Sequence, residues 1–218
     1  MPDLTITLSA NAGVSLVMNG TGILIDAYHD RKVSGYSTVS ESMYTQMQSH
    51  PGFAHPDIIA YTHCHRDHFS YLMNACALER HKPKAFLLPE ELYDTQQLLS
   101  GDSAEYDVGD IHITAIKLTH AGGQFYNVPH YGYLITWKGK TILFPGDCSV
   151  AAPELLPFLE QAGHIDLALL NFPWCTLIKG RTFIEKTFDP HMSVSCTCPF
   201  RRMMCTAICA ERKRLFPC

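Results

Sequence analysis

One short run of residues constrains this chain more than any other, because four side chains able to bind a metal follow directly on a predicted strand. The apolar residues at positions 57–61 are typical of a buried strand, and Thr62-His63-Cys64-His65-Arg66-Asp67-His68 comes next. The candidate ligands are His63, His65, Asp67 and His68. We expect the first two to face one metal ion, and the last two, on the opening turn of the next helix, to face a second. A solvated polar turn is the alternative, but this spacing is more typical of a metal site.

Two later loops at predicted strand ends carry further candidate ligands. His120 follows the predicted strand 112–118 and precedes small residues that would let another group approach closely. Asp147 follows the predicted strand 141–144 in a Pro-Gly-Asp-Cys run. Each signal is weak alone, because a single His is commonly a satisfied polar residue and Gly-Asp is a common turn. Together with the histidine run, they support a metal site.

The spacing of apolar residues predicts an α+β fold with two strand-rich halves. Strands are predicted at 4–8, 14–18, 22–25, 57–61, 85–88, 106–109, 112–118, 132–137, 141–144 and 166–171. Helices are predicted at 40–50, 71–81, 90–99, 153–162 and 182–188. Because helices follow each strand-rich half, we expect two sheets flanked by helices rather than a doubly wound parallel sheet.

These motifs together resemble the metallo-β-lactamase superfamily of metal-dependent hydrolases. The shared features are the His-x-His-x-Asp-His run after a strand, the later isolated His, the Gly-Asp that follows a Lys-Gly-Lys turn, and the early Ile23-Leu24-Ile25-Asp26. The resemblance implies an αββα sandwich, in which two mixed β-sheets are flanked by helices. It also implies two divalent metal ions, with zinc expected and manganese or iron as alternatives.

The resemblance gives each candidate residue a role. The implied ligands are His63, His65 and His120 for one metal, Asp67 and His68 for the other, and Asp147 as a bridge between the two. Asp26 would orient a ligand imidazole. Asp67 is also the predicted catalytic residue, which would take the proton from the attacking water or orient that water.

The implied activity is hydrolysis by a metal-bound hydroxide. We expect a small-molecule ester, lactone or phosphoester as substrate, because nothing resembles the additional nucleic-acid-clamping domain of the family's RNA- and DNA-processing members. Segments 124–130 and 171–174 are candidate rims of the substrate pocket, although ordinary packing explains both. A non-catalytic metal-binding remnant of the same fold is the alternative. A redox enzyme using iron with a flavin partner is disfavoured, because di-iron members carry acidic residues where this chain has His.

Charge and composition exclude several other classes of protein. The net charge of −4 without a basic stripe argues against nucleic acid as the main partner. No apolar run reaches 18 residues, so we expect no membrane association. The first residues do not resemble a secretory signal, and we therefore expect a cytoplasmic protein. In that compartment Cys64, Cys76, Cys148 and Cys175 are expected to be small core residues; strand alternation should point Cys64 away from the metals.

The last residues do not fit the resemblance. We predict a metallo-β-lactamase-like domain over residues 1–190 and an atypical, poorly packed tail over 191–218. The tail holds five of the nine cysteines. Family members usually end on a strand that delivers one more His to the second metal, commonly before Leu-Pro, yet no His follows His191.

A shifted reading frame explains this tail. The nucleotides that encode Cys196-Thr197-Cys198-Pro199 can be read in the frame that starts at the third base of each codon. In that frame they must encode His or Tyr, then Leu, Met or Val, then Pro or Ser. A readable product of the whole segment begins His-Val-Gly-Val-Val-His-Leu-Pro, a strand followed by the missing His. We hypothesise a frameshift near residues 188–191. A structural zinc module and a disulfide patch are the alternatives, but the cysteines lack the paired spacing of a zinc ribbon.

Overall fold

Two six-stranded mixed β-sheets, one in each of two units, organise the chain in the computed structural model. The structure describes residues 4–33, 35–188, 190 and 192–197, the last segment by its backbone alone. The first unit ends at Ser100 and the second begins at Gly101. Two mixed sheets accompanied by helices confirm the predicted α+β class.

The first sheet has the order β1-β2-β3-β4-β5-β6. Its strands are β1 (Leu4–Leu8), β2 (Val14–Met18), β3 (Thr21–Ile25), β4 (Ile58–Ala60), β5 (Ala85–Leu88) and β6 (Gln97–Leu98), and its helices are α1 (Glu41–Met47) and α2 (Tyr71–His81). The first three strands are antiparallel, and β3 to β6 are parallel. The β2–β3 turn is tight because Asn19 and Gly20 both adopt positive φ, as a two-residue Asn-Gly hairpin turn requires.

The parallel strands determine where the histidine run lies. The carboxyl ends of β3 and β4 share one edge of the sheet, so the residues that follow these strands meet there. Asp26 follows β3, and Thr62 lies two residues beyond β4. Under this edge a buried cluster that includes Tyr61, Phe69 and Phe86 packs against α2. The apolar packing thereby supports the loop that carries the candidate ligands.

The second sheet has the order β12-β11-β10-β9-β8-β7. Its strands are β7 (Ser103–Val108), β8 (Ile111–Lys117), β9 (Tyr131–Trp137), β10 (Lys140–Phe144), β11 (Leu167–Asn171) and β12 (Met192–Thr197), and its helices are α3 (Leu156–Ala162), α4 (Phe172–Thr176) and α5 (Ile178–Thr187). Strands β7 to β10 are antiparallel, and β10, β11 and β12 are parallel. Its own buried cluster includes Leu143, Leu170 and Trp174. Among the described residues, no helix has the length and apolar character needed to cross a membrane.

Residues 90–99 form no helix, contrary to the prediction. The side chain of Gln96 holds a turn there instead: its Oε1 accepts hydrogen bonds from the backbone N–H groups of Leu92 (2.8 Å) and Tyr93 (2.7 Å). Its Nε2 donates to the Glu90 carbonyl (2.7 Å). The bond to Glu90 occupies a carbonyl that a helix beginning there would use internally, and the segment then continues as β6.

The first residues of the tail have more regular secondary structure than the sequence predicts. Strand β12 lies within the segment expected to pack poorly, and it pairs in parallel with β11 along its length. Regular structure therefore continues past the predicted boundary at residue 190. Residues 198–218 lie outside the described residues, so the expectation for them stays a prediction.

Candidate metal centre

Asp26 joins two segments of the first unit through its carboxylate. The side chain is fully buried, and the φ of 51° lies in the left-handed region that residues other than glycine seldom adopt. A bond from Asp26 N–H to the Ala60 carbonyl (3.1 Å) holds this backbone at the end of β4. The carboxylate accepts hydrogen bonds from Thr62 N–H (2.8 Å), the Thr62 hydroxyl (2.7 Å) and His68 Nδ1 (2.9 Å). Asp26 therefore fixes both ends of the loop that contains the histidine run.

These contacts determine which ring nitrogen carries the proton in two histidines. Nδ1 of His68 faces a carboxylate, which only accepts, so this nitrogen carries the proton. The Thr62 hydroxyl gives its proton to Asp26 and so accepts from Nδ1 of His63, 2.9 Å away. In each neutral ring the lone pair then lies on Nε2. A hydrogen bond at one ring nitrogen with the lone pair at the other is the usual arrangement of a metal-binding imidazole.

The rings of the histidine run form one cluster. The ring centroids of His63 and His65 are 4.6 Å apart, and those of His63 and His68 are 4.2 Å apart. Candidate ligand atoms of His63 and His65 lie within 4.8 Å of each other, as do those of Asp26, His63 and His68. The structure therefore brings together the imidazoles that the sequence analysis selected in this unit.

The predicted position of the last two candidates on the opening turn of a helix is wrong. Helix α2 begins only at Tyr71, with Ser70 as its N-cap. Asp67 and His68 lie in a separate turn, in which the N–H of His68 donates to the His65 carbonyl (2.9 Å). Because the side chain of Ser70 caps α2, the helix begins after the candidate ligands. The turn that holds Asp67 and His68 is therefore separate from the helix.

Asn11 orients Asp67, a role that its place in the sequence does not reveal. Asn11 lies in the β1–β2 turn with a φ of 50°, and its Nδ2 donates to the Asp67 carbonyl (3.0 Å) and to Oδ2 of the carboxylate (3.4 Å). Its own N–H donates to the Ser37 hydroxyl (2.7 Å). The sequence suggests only a turn here, because Asn is a common turn residue and its partner is 56 positions away.

In the second unit, His120 and Asp147 lie on two loops that are joined by their backbones. An isolated antiparallel bridge pairs His120 with Cys148, and Ala121 N–H donates to the Asp147 carbonyl (2.8 Å). Nδ1 of the buried His120 ring donates to the Ala121 carbonyl (2.7 Å), which leaves the lone pair on Nε2. The two candidates of this unit are thus neighbours, and His120 has the tautomer suited to metal binding.

Two further polar residues hold Asp147. Asn171, at the end of β11, donates from Nδ2 to Oδ1 of Asp147 (3.1 Å). The N–H of Asp147 donates to Nε2 of His130 (3.0 Å), the residue before β9. The sequence places these two residues only in candidate pocket rims. Their role follows from the sheet, because β9 and β11 both neighbour the strand that leads to Asp147.

The candidate pocket rims differ from each other in exposure. Residues 124–127 are exposed, with Tyr126 at 70%. Trp174 is fully buried in the core of the second unit, on α4. Core packing therefore explains Trp174, whereas the segment at 124–127 stays a candidate rim.

Cys64, Cys76, Cys148 and Cys175 are free thiols rather than disulfide partners, as predicted. Cys64 packs against the core of the first unit, and burial together with the nearby Glu90 carboxyl raises the pKa of its thiol well above the usual range. A protonated, packed thiol fits the predicted structural role of Cys64. Cys76, in contrast, is exposed rather than a core residue.

The donor groups fit a divalent metal of the borderline class. They are imidazole nitrogens and carboxylate oxygens, which suit zinc, manganese and iron. Three of the candidate rings have their lone pair on Nε2 because Nδ1 is hydrogen-bonded; these are His63, His68 and His120. His63 and His68 share one loop of the first unit, and His120 lies in a loop of the second unit.

Solved structures from several organisms share this fold. Igni18, described as a novel metallo hydrolase of Ignicoccus hospitalis, matches with a TM-score of 0.65 and 19% identity over 90% of this chain and 84% of its own. A protein of Parabacteroides distasonis, provisionally assigned as a metal-dependent hydrolase, matches with a TM-score of 0.62 and 19% identity over 93% and 84%. CmlA, a diiron β-hydroxylase of Streptomyces venezuelae, matches with a TM-score of 0.57 and 14% identity over 88% of this chain but only 44% of CmlA.

The sequence itself matches a family model described as a beta-lactamase superfamily domain, over residues 21–204. None of the curated proteins matches this sequence. The family match covers most of the chain and continues beyond the predicted boundary at residue 190. The fold predicted from the resemblance is confirmed, and the chain belongs to the metallo-β-lactamase superfamily.

Proposed function

We propose that this protein is a metal-dependent hydrolase of a small-molecule ester, lactone or phosphoester. The observation that carries the proposal is the hydrogen-bonded set around Asp26, which assigns the Nε2 lone pair to both His63 and His68. Burying a carboxylate costs free energy, and here the carboxylate is kept behind two imidazoles that it orients. Orienting the rings for a ligand is a role that accounts for this placement. Metal binding is the task that fits this donor set.

The proposed ligands are those that the family resemblance implies. They are His63, His65 and His120 for one metal, Asp67 and His68 for the other, and Asp147 as the bridging carboxylate. We propose zinc as the metal, because imidazole-rich sites suit it, with manganese or iron as the alternatives. The free thiols are typical of a reducing compartment, which supports a cytoplasmic location.

Asp67 is the proposed catalytic residue. A divalent metal pair, when bound, supplies a hydroxide nucleophile at neutral pH and polarises the bond to be cleaved. The Asp67 carboxylate accepts from Asn11 at Oδ2, which limits its rotation. From that position it is suited to hold a water or to take its proton. Asp26 keeps the proton of the neutral His68 ring on Nδ1, so that the lone pair of Nε2 is available to a metal.

Metal content and hydrolysis test the proposal together. The purified chain would be stripped with a chelator, reloaded with zinc, manganese or iron, and assayed with a p-nitrophenyl ester, a lactone and bis(p-nitrophenyl) phosphate. We expect bound metal by mass spectrometry and turnover that the chelator abolishes. Asp67→Asn should lower kcat by about 100-fold or more, whereas the exposed Asp94→Asn should not. Turnover that survives metal removal, or a wild-type chain that binds no metal, would contradict the proposal.

A non-catalytic metal-binding protein is the second candidate. It is favoured by one feature of the sequence, which is that no His follows His191, although family members usually supply a further histidine to the second metal from that region. One equivalent of metal without turnover of any of the three substrates would support this candidate. Two equivalents with turnover would support the hydrolase.

A further inference from the structure

His130 connects the two loops that carry His120 and Asp147. The side chain is fully buried. Its Nε2 accepts from the N–H of Asp147 (3.0 Å), and its carbonyl accepts from the N–H of Leu118 (2.9 Å), two residues before His120. Its ring also packs edge-on against the ring of His120, with centroids 5.4 Å apart. One residue therefore contacts both loops through three different groups.

The bond to Asp147 requires a particular form of the His130 ring. Nε2 can accept a hydrogen bond only if it carries no proton, so the ring is neutral with its proton on Nδ1. A histidine used in this way acts as a buried acceptor for a backbone N–H group. An apolar side chain of similar volume would fill the space but leave the partly buried N–H of Asp147 without this acceptor, which is unfavourable.

We propose that His130 is a positioning residue that sets the relative placement of His120 and Asp147. This inference rests on the proposed function, in which both residues bind metal. The ring orients the backbone of Asp147 directly and limits the rotation of the His120 ring by packing. Asn171 fixes the carboxylate of Asp147 through Oδ1, so the two contacts together define the position and the rotation of this group.

Two substitutions separate positioning from simple packing. His130→Leu keeps the buried volume and removes the acceptor. His130→Gln keeps an acceptor, because the amide oxygen of Gln reaches about as far along the side chain as Nε2 of His. A residue that only packs should tolerate both changes similarly, whereas a positioning residue should be rescued by Gln. His112→Leu is the matched control, since His112 is paired with Asp107 on β7 and is partly exposed.

The first measurement uses the metal-free protein. Amide hydrogen exchange at Asp147, followed by NMR, should be at least 10-fold faster in His130→Leu than in wild type, and close to wild type in His130→Gln and His112→Leu. The second measurement is zinc affinity with the absorption spectrum of the cobalt-loaded protein. We expect His130→Leu to bind metal about 10–100-fold more weakly with an altered spectrum, and His130→Gln to recover most of the loss.

The two measurements distinguish failure of this inference from failure of the proposed function. A His130→Leu variant that is folded by circular dichroism and has wild-type exchange at Asp147 would overturn the inference. Wild-type metal affinity and spectrum in that variant would overturn it as well. A wild-type chain that binds no metal would instead refute the proposed function, and the exchange measurement would still decide whether His130 holds the Asp147 loop.

Discussion

A single buried carboxylate can determine the chemistry of two neighbouring rings. Asp26 accepts from His68 directly and controls His63 through the hydroxyl of Thr62. The backbone at Asp26 adopts a positive φ, which is unfavourable for most residues and persists where surrounding contacts hold it. The strain, the burial and the three hydrogen bonds occur at the same residue. Asp26 is therefore the residue at which a substitution should separate folding from metal binding most clearly.

We expect Asp26→Asn to lose metal affinity with a smaller effect on the fold. Asn tolerates the left-handed conformation and has nearly the same shape, so the backbone should be retained. Its Nδ2 donates, however: in the place of Oδ2 it would face both Nδ1 of His68 and the Thr62 hydroxyl, and in the place of Oδ1 it would face the Thr62 N–H, so a donor meets a donor in either orientation. Zinc affinity measured by chelator competition should fall by about 10–100-fold. The exposed Asp30→Asn is the control. Unchanged affinity in Asp26→Asn would show that the carboxylate does not orient the ligands.

At the scale of the elements, one acidic residue precedes a parallel strand in each sheet. Asp57 precedes β4; it accepts from Gly22 N–H (3.0 Å) and pairs with Lys84 (2.9 Å), which precedes β5. Asp166 precedes β11; it accepts from Thr141 N–H (2.9 Å) and pairs with Lys140 (2.8 Å) at the start of β10. Each carboxylate thus connects the amino-terminal ends of neighbouring parallel strands in its own sheet. The candidate ligands follow the opposite, carboxyl-terminal ends of the strands.

This pairing predicts a pH dependence of stability. Burial alone would raise the pKa of Asp166, but the Lys140 and Thr141 hydrogen bonds outweigh it and hold the pKa below its ordinary value. A pKa lowered by folding stabilises the protein above the unfolded value of about 3.9, and this stability is lost as the pH falls through the folded pKa. We expect Asp166→Asn to lower the free energy of unfolding by about 1 kcal/mol at pH 7.

Urea denaturation from pH 7 to pH 2.5 measures this effect. The difference in the free energy of unfolding between wild type and Asp166→Asn should narrow below about pH 4. It should close at the acid end of the range, because the wild-type carboxyl becomes protonated there. The exposed Asp94→Asn should follow wild type at every pH. A gap that stays constant across this range would mean that the charge of Asp166 does not contribute.

The elements that could be predicted from the sequence are those governed by local patterns. Strand β2 and helix α2 occur at their predicted bounds, because periodic apolar residues, the Asn-Gly turn and the Ser70 cap act over a few residues. The helix predicted at 90–99 failed because a single side chain, Gln96, satisfies the backbone there. Nothing in residue type or spacing distinguishes this glutamine from one on the surface of a helix.

The supporting residues of the candidate site could not be found from the sequence for a different reason. The candidate ligands stand out because His and Asp are dense in one short run or follow predicted strands. Asn11, His130 and Asn171 are separated from the residues they hold by 56, 17 and 24 positions. Their roles depend on which strands are neighbours. That information is set by the sheet order, which local patterns do not contain.

At the scale of the whole chain, the last strand bears on whether the proposed second metal site is complete. Strand β12 pairs in parallel with β11, and the register places Thr197 opposite Asn171, whose side chain donates to Asp147. In the shifted reading frame, the codon that spans Cys196 and Thr197 encodes His or Tyr. The missing histidine would therefore fall at the carboxyl end of β12, beside the strand end that already holds the proposed bridging carboxylate.

We propose that restoring this frame completes the second site. The test is a chain in which segment 191–204 is replaced by the shifted-frame product. We expect this chain to bind a second equivalent of metal. Its affinity for that equivalent and its kcat should rise by about 10–100-fold, because a missing ligand is supplied at the strand end. The same replacement with Ala at the restored His is the control for the new sequence. Equal metal content and turnover in the original and restored chains would contradict the prediction. So would a TGT codon at Cys196 in the gene, since the shifted codon would then encode Tyr.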